Sequence, residues 1–212
     1  AEHGINERFG SDGEAGVIVQ GGIWPNLVQA LAVAGFLDDD GLPRLPVLVL
    51  NATYPLVPDE LAAFCRGKRA VLVLEEGHPA FIEFELAAHL AHAGVACAIE
   101  GKAAMGEAGE YQAEAIVAGL SRFVAKHAPE LAGGAAERWR GEVEAARARA
   151  AQLIGARMPP RPPGFCTGCP ERPVFSALKL VERELGPRHC AADVGCHSFA
   201  MFAPFHIGHT IA

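Results

Sequence analysis

Between Pro162 and Pro173 the chain reads Pro-Pro-Gly-Phe-Cys-Thr-Gly-Cys-Pro-Glu-Arg-Pro, with Cys166 and Cys169 two residues apart on a loop that proline stiffens on both sides. That spacing lets one turn fold back with both sulfurs inward, so the pair can ligate one metal ion or one iron–sulfur cluster. A third cysteine, Cys196, follows on the turn Asp193-Val-Gly-Cys-His-Ser. Three readings are open at this level. Cys166, Cys169 and Cys196 could join His197 or His206 around a tetrahedral zinc ion in a non-catalytic module. The same three thiols could hold a cluster. Cys166 and Cys169 could also act as a redox dithiol, but such a motif normally follows a strand directly and opens a helix. Here a proline-rich stretch precedes it, and Pro170 and Pro173 follow. The pattern points to metal or cluster before disulfide.

The remaining cysteines read as structural. Cys65 and Cys97 lie in apolar surroundings, Ala-Ala-Phe-Cys and Val-Ala-Cys-Ala-Ile, and behave there as small buried hydrophobes. Cys190 opens a strand-like run, Cys-Ala-Ala-Asp-Val. Six cysteines in 212 residues do not make the disulfide scaffold of a short secreted chain. Reduced thiols are expected. A formal charge of −7 with scattered arginines gives no nucleic-acid footprint. The N-terminus lacks the basic start and apolar run of a signal peptide, and no unbroken apolar span of about 18 residues occurs. A cytoplasmic location without membrane or nucleic-acid partners is expected.

The elements that must position these residues alternate strand and helix. Ala15-Gly-Val-Ile-Val-Gln is a strand closed by Gly21-Gly22, and Pro25 to Phe36 has apolar residues at helical spacing with Gly35 at its end. Leu45-Pro-Val-Leu-Val-Leu-Asn, Arg69-Ala-Val-Leu-Val-Leu-Glu-Glu and Val95-Ala-Cys-Ala-Ile repeat the strand signal. Helices are predicted from Pro58 and over Phe81 to Ala93, the latter with Phe81, Phe84, Ala88, Leu90 and Ala91 as its apolar face. Alternation of this kind builds a parallel sheet sandwiched by helices. Glu75-Glu76 end a strand, where ligands of open α/β sheets bind, yet the two adjacent carboxylates point opposite ways and read as structural. Gly101-Lys102 and Gly109-Glu-Tyr are equally ambiguous glycine turns, and His78, His89 and His92 read as surface histidines. From Leu131 the texture shifts to an Ala-, Glu- and Arg-rich helix, Ala135 to Ile154, and then to Ala156-Arg-Met-Pro-Pro-Arg-Pro-Pro-Gly, an extended stiff bridge. The expected organisation is a flexible lead-in over 1–14, a three-layer α/β domain over 15–130, a helical and proline-rich linker over 131–163, and the incomplete beginning of a second α/β domain over 164–212.

Phe165-Cys-Thr-Gly-Cys-Pro-Glu-Arg-Pro-Val-Phe and Ala192-Asp-Val-Gly-Cys-His-Ser resemble the opening of the thiamine diphosphate domain in 2-oxoacid:ferredoxin oxidoreductases, the indolepyruvate ferredoxin oxidoreductase group above all. Gly16-Val-Ile-Val-Gln-Gly-Gly, Tyr54-Pro-Leu, Val73-Leu-Glu-Glu-Gly-His-Pro-Ala-Phe-Ile-Glu and Gly109-Glu-Tyr are similar, in the same order, to that family's transketolase C-terminal-like domain. The resemblance implies part of an enzyme that oxidatively decarboxylates an aryl 2-oxoacid to its acyl-CoA and passes electrons to ferredoxin. Its implied cofactors are thiamine diphosphate, Mg2+ and a [4Fe-4S] cluster, with coenzyme A as co-substrate and other domains or subunits of an oligomeric enzyme as partners. Carried across residue by residue, Cys166, Cys169 and Cys196 are cluster ligands, and Gly195, Cys196, His197 and Ser198 approach the cofactor. The family's fourth cluster cysteine, its Gly-Asp-Gly segment for magnesium diphosphate and the glutamate that activates the aminopyrimidine have no counterpart in this sequence, Cys190 being the only other nearby cysteine and its strand position arguing against it. The chain is therefore read as a fragment, inactive alone.

Overall fold

The hydrophobic pattern of the first half resolves into a sheet buried on both faces. The computed structural model describes residues 4–107, 109–155 and 164–211. These divide into two compact units, up to Leu153 and from Ile154 onward. The proline-rich bridge read over 156–163 lies outside the described residues.

In the first unit, β1 (Glu7–Phe9), β2 (Ala15–Gln20), β3 (Val47–Leu50), β4 (Ala70–Leu74) and β5 (Ala98–Glu100) form one sheet in the order β1-β3-β2-β4-β5. The pairs among β2, β3, β4 and β5 are parallel, and only β1 joins antiparallel, on β3. Because strand side chains alternate, each run of Val, Leu and Ile feeds two cores at once. Val17, Val19, Val47, Val49, Leu72 and Leu74 face one layer. That layer comprises α1 (Trp24–Ala34), α4 (Lys102–Met105) and α5 (Ala113–His127). Ile18, Leu48, Leu50, Val71 and Val73 face the other, with α2 (Pro58–Cys65) and α3 (Phe81–His92). The expected three-layer α/β architecture is present.

Four expectations are corrected in detail. The stretch read as a lead-in contains β1, held because Phe9 stacks on Trp24 at 4.7 Å and Asn6 bonds to Glu60 and Ala52. The fourth strand begins at Ala98 rather than Val95, since Ala98 is the residue that pairs with Ala70. The helix α6 (Ala135–Ile154), read as a bridge, starts inside the first unit: Ala136 is buried and Trp139 packs on the first core. Arg147 then forms a bidentate pair with Glu114 of α5, at 2.9 and 2.6 Å. Finally, the buried face of α3 is Ile82, Leu86 and Leu90, while Phe81 and Phe84 are 63% and 64% exposed. The carboxylate of Glu75 explains the register, because it accepts the N–H of Ile82 through both oxygens at 3.0 Å and that of Glu83 at 3.3 Å. Pinned there, the first turn of α3 turns Ile82 inward and Phe81 out.

The second unit has α7 (Glu171–Leu185), a two-stranded parallel pair of β6 (Ala191–Ala192) with β7 (Thr210–Ile211), and a 3-10 helix over Cys196–Met201. Its core is small, comprising Phe175, Ala200 and Ile207 with Phe165, Cys190 and Phe205 packed against it. The helix starts at Glu171, earlier than the run from Val174 suggests, because Pro173 falls in a first turn whose N–H groups have no intrahelical partner to lose. Among the described residues no helix is long and apolar enough to cross a membrane.

Candidate functional site

Cys166 and Cys169 stand on the turn that leads into α7. The Cys169 N–H donates to the Cys166 carbonyl at 3.2 Å, and Gly168 supplies the left-handed residue (φ 73°) the turn requires. Cys166 is exposed and Cys169 half-buried. The N-terminus of α7 follows directly. Phe165 anchors the turn, its ring 5.5 Å from Phe175, 5.9 Å from Phe199 and 5.7 Å from Phe205. Arg172 clamps the same residue, donating to the Phe165 carbonyl at 3.2 Å with its guanidinium 5.7 Å from the ring centre.

Beside this turn is a cavity of about 400 Å³ lined by Phe165, Arg172, Phe199, Phe202, Pro204 and Phe205. An apolar, aromatic wall with one guanidinium suits a flat apolar group carrying an anion. The sequence signal for this wall is the spacing of Phe199, Phe202 and Phe205, three residues apart, the period of a 3-10 turn.

Gly195, Cys196, His197 and Ser198 form the entry to the 3-10 helix. The Gly195 carbonyl accepts both the backbone N–H of Ser198, at 3.1 Å, and its hydroxyl. Nothing lies within 4 Å of where a side chain on Gly195 would project, so backbone is open to close approach there. The His197 ring stacks on Phe175 at 5.1 Å and places Nε2 3.8 Å from the Cys190 sulfur. Cys190 is tied further to His209, whose Nδ1 accepts the Cys190 N–H at 3.2 Å while its own N–H donates to the Cys190 carbonyl at 2.7 Å. The structural role read for Cys190 fits this placement. Cys196 is exposed. Among the described residues, no three His, Cys, Asp or Glu side chains are grouped tightly enough to hold a metal ion. The donor set of one turn, two soft thiols, fits iron or zinc as a half-site, and Cys196 is not drawn into that group.

In the first unit, the three spots that looked separately ambiguous converge at the carboxyl ends of the strands. Lys102 Nζ donates to the Glu75 carbonyl and to the Tyr111 hydroxyl, at 3.3 Å for the latter, and lies 4.9 Å from the Tyr111 ring centre. Glu76 accepts the Tyr111 N–H and donates its own N–H to Gln20 Oε1 at 2.8 Å. Glu83 accepts the Lys102 N–H at 3.0 Å, and a side chain on Gly101 would collide with that carboxylate. Adjacent to the network is a cavity of about 480 Å³ lined by Gln20, Gly21, Gly22, Asn51, Thr53 and Glu76 among others. It opens where β3 lies on one side of β2 and β4 on the other, the switch point at which open α/β sheets bind ligands. The glutamates and Lys102 spend their polar groups on this scaffold, which agrees with the structural reading of Glu75 and Glu76.

Comparison with known proteins bears out the resemblance drawn from the motifs. The chain is 28% identical over 194 residues to the indolepyruvate oxidoreductase subunit IorA of Archaeoglobus fulgidus, covering 91% of this chain and 27% of that protein. It is 29% identical over 212 residues to the subunit of the same name from Methanothermobacter thermautotrophicus, covering 96% of this chain and 30% of that one. The Thermococcus kodakarensis subunit IorA is 25% identical over 194 residues. The chain spans about 26–30% of the length of the curated relatives it matches. No family model matches it, and no solved structure does.

Proposed function

We propose that the chain is part of an oxidoreductase that oxidatively decarboxylates an aryl 2-oxoacid of the indolepyruvate kind, forming an acyl-CoA and delivering electrons to ferredoxin. The observation that carries this reading is similarity across nine-tenths of the chain to subunits named for indolepyruvate oxidation, with the cysteine turn included. Thiamine diphosphate with Mg2+ supplies, when bound, the electron sink for loss of carbon dioxide. This chain's share of such a site is positional. Gly195 leaves its backbone open to a bound group, and the Ser198 contacts to its carbonyl fix the turn that carries Cys196 and His197. His197 is oriented from behind by Phe175. Cys166, Cys169 and, by the resemblance, Cys196 are the thiols proposed for a [4Fe-4S] cluster. The Phe-lined cavity with Arg172 suits the aryl group and carboxylate of the substrate.

The test is reduction of ferredoxin by the full-length enzyme complex, purified anaerobically, on addition of indolepyruvate and coenzyme A. Reduction that requires both additions, and that is faster with aryl than with short aliphatic 2-oxoacids, is expected. Equal rates with pyruvate would overturn the aryl assignment, and no reduction with any 2-oxoacid would overturn the function.

A further inference from the structure

At the amino ends of the parallel strands, away from the switch point, the first unit has a cavity of about 520 Å³ between β1, the start of β3 and the turn after α2. Its wall carries Arg8 of β1, Arg66 at the end of α2 and Lys68 of the turn into β4, with Asp12 the one carboxylate among the described residues of that wall. Two of the three cations are held in place. The half-buried Lys68 lays its stem over Gly16, where a side chain would stand 3.0 Å from the Lys68 Cε, and its ammonium sits 4.7 Å from the centre of the buried Phe64 ring. Arg8 Nη2 donates to the Glu60 carbonyl at 3.3 Å, and its guanidinium lies 5.8 Å from the same ring centre. Among the described residues none of Arg8, Arg66 and Lys68 is ion-paired with a carboxylate, whereas Arg69, Lys126, Arg140, Arg147 and Lys179 are. The carboxyl end of α2 favours a nearby cation, but that field does not bring Arg8 in from a different element. In a chain with a formal charge of −7, three unpaired cations on one cavity are charge held for a group outside the chain.

From this geometry we propose that the cavity is a binding site for an organic diphosphate, held by the guanidinium groups of Arg8 and Arg66 and the ammonium of Lys68. Like charges gathered on one wall repel, and a concentrated anion between them relieves that repulsion. Each guanidinium offers paired N–H donors that match phosphate oxygens, and the lysine adds a compact charge. A single phosphate fills only part of a cavity this size, whereas two linked phosphates carry enough charge to engage all three cations. The Phe64 ring is buried and carries Arg8 and Lys68, so it serves as floor. Leu42, which is exposed, and Pro46 supply the apolar flank on which the organic part of the ligand rests. Gly195, Cys196, His197 and Ser198, proposed above to approach thiamine diphosphate, do not line this cavity. Two sources share the chemistry, a free nucleoside diphosphate and the nucleotide portion of coenzyme A, and only the second ties the site to the reaction proposed above.

The experiment is hydrogen exchange, read by mass spectrometry, on the anaerobically purified full-length enzyme saturated with thiamine diphosphate and Mg2+. ADP, coenzyme A, adenosine and citrate are titrated separately with no 2-oxoacid present, so the result does not depend on turnover. ADP is expected to slow exchange in segments 8–12 and 62–69 at concentrations where adenosine has no effect. Lys68→Gln and Arg66→Gln should each raise the half-saturating ADP concentration about tenfold, through loss of one charge-assisted contact. Arg66 is exposed, so its variant tests the site without disturbing the core. Protection by ADP and coenzyme A alike supports the diphosphate as the shared element, and protection by one of them alone supports it and names the source. No protection of these segments by either, or unchanged half-saturation in both variants, would overturn the proposal. So would citrate matching ADP, which would make this a site for carboxylates.

Discussion

In the first unit both faces of a five-stranded sheet are covered by helices, and side chains such as Phe123, Leu72 and Ile18 have no solvent exposure. In the second, three buried residues make the centre of the core, and Val174, Leu180, Val181 and Leu185 of α7 are exposed. The polar groups divide the same way. Glu75, Glu76, Glu83 and Lys102 are consumed in holding helices and loops to the strand ends. Cys166 and Cys196 are exposed, and neither has such a duty. Stability and the exposed thiols of Cys166 and Cys196 therefore reside in different parts of the chain, and substitutions in the two should fail in different ways.

The largest stability loss is expected from Phe123→Ala in α5, which should cost about 3–5 kcal/mol because a large ring is removed from a close-packed core. Chemical denaturation followed by far-UV circular dichroism measures it, and a loss under about 1 kcal/mol would mean that this core is looser than described. Next, Glu75→Ala removes a charged acceptor from two backbone donors of α3 and should cost about 2 kcal/mol. Hydrogen exchange should show the first turn of α3 losing protection while α5 keeps it. If α5 opened equally, Glu75 would not be acting locally.

A pH-dependent effect separates a scaffold carboxylate from an idle one. Burial raises the pKa of Glu100, but hydrogen bonds from His127 at 2.7 Å and from Lys126 outweigh it and hold the carboxyl below its ordinary value. A carboxylate depressed in this way contributes stability that is fully present above the unfolded pKa and is lost as pH falls through the folded one. Unfolding midpoints of wild type and Glu100→Gln should thus differ at neutral pH and converge in acid. Parallel curves would contradict the assignment. The smallest effect is expected at the exposed Arg147–Glu114 pair, where Arg147→Ala should leave the midpoint unchanged at physiological salt.

Fold class was legible because Leu45 to Asn51 and Arg69 to Glu76 are continuous apolar runs that only a doubly covered sheet can bury. The cysteine turn was legible from its spacing alone. What stayed hidden depends on distant partners. Nothing local says that Glu75 will reach across a loop to Ile82, so the apolar face of α3 was misjudged by one position. Cys97 was read as a buried hydrophobe because its neighbours are apolar, whereas it is half-buried at the margin of the second core, just ahead of the strand pairing at Ala70 and Ala98. The aromatic cavity escaped for the same reason, since Phe165 and Phe205 meet only once α7 and the 3-10 helix have folded back on each other.

The most direct test of the division is iron and acid-labile sulfide analysis of the full-length enzyme, purified anaerobically, as wild type and as Cys166→Ser. The variant should unfold within about 0.5 kcal/mol of wild type, as an exposed substitution does, yet carry less iron and sulfide in equal proportion. Unchanged iron and sulfide in a folded Cys166→Ser enzyme would contradict the account, and zinc without sulfide in the wild type would replace the cluster with a structural metal.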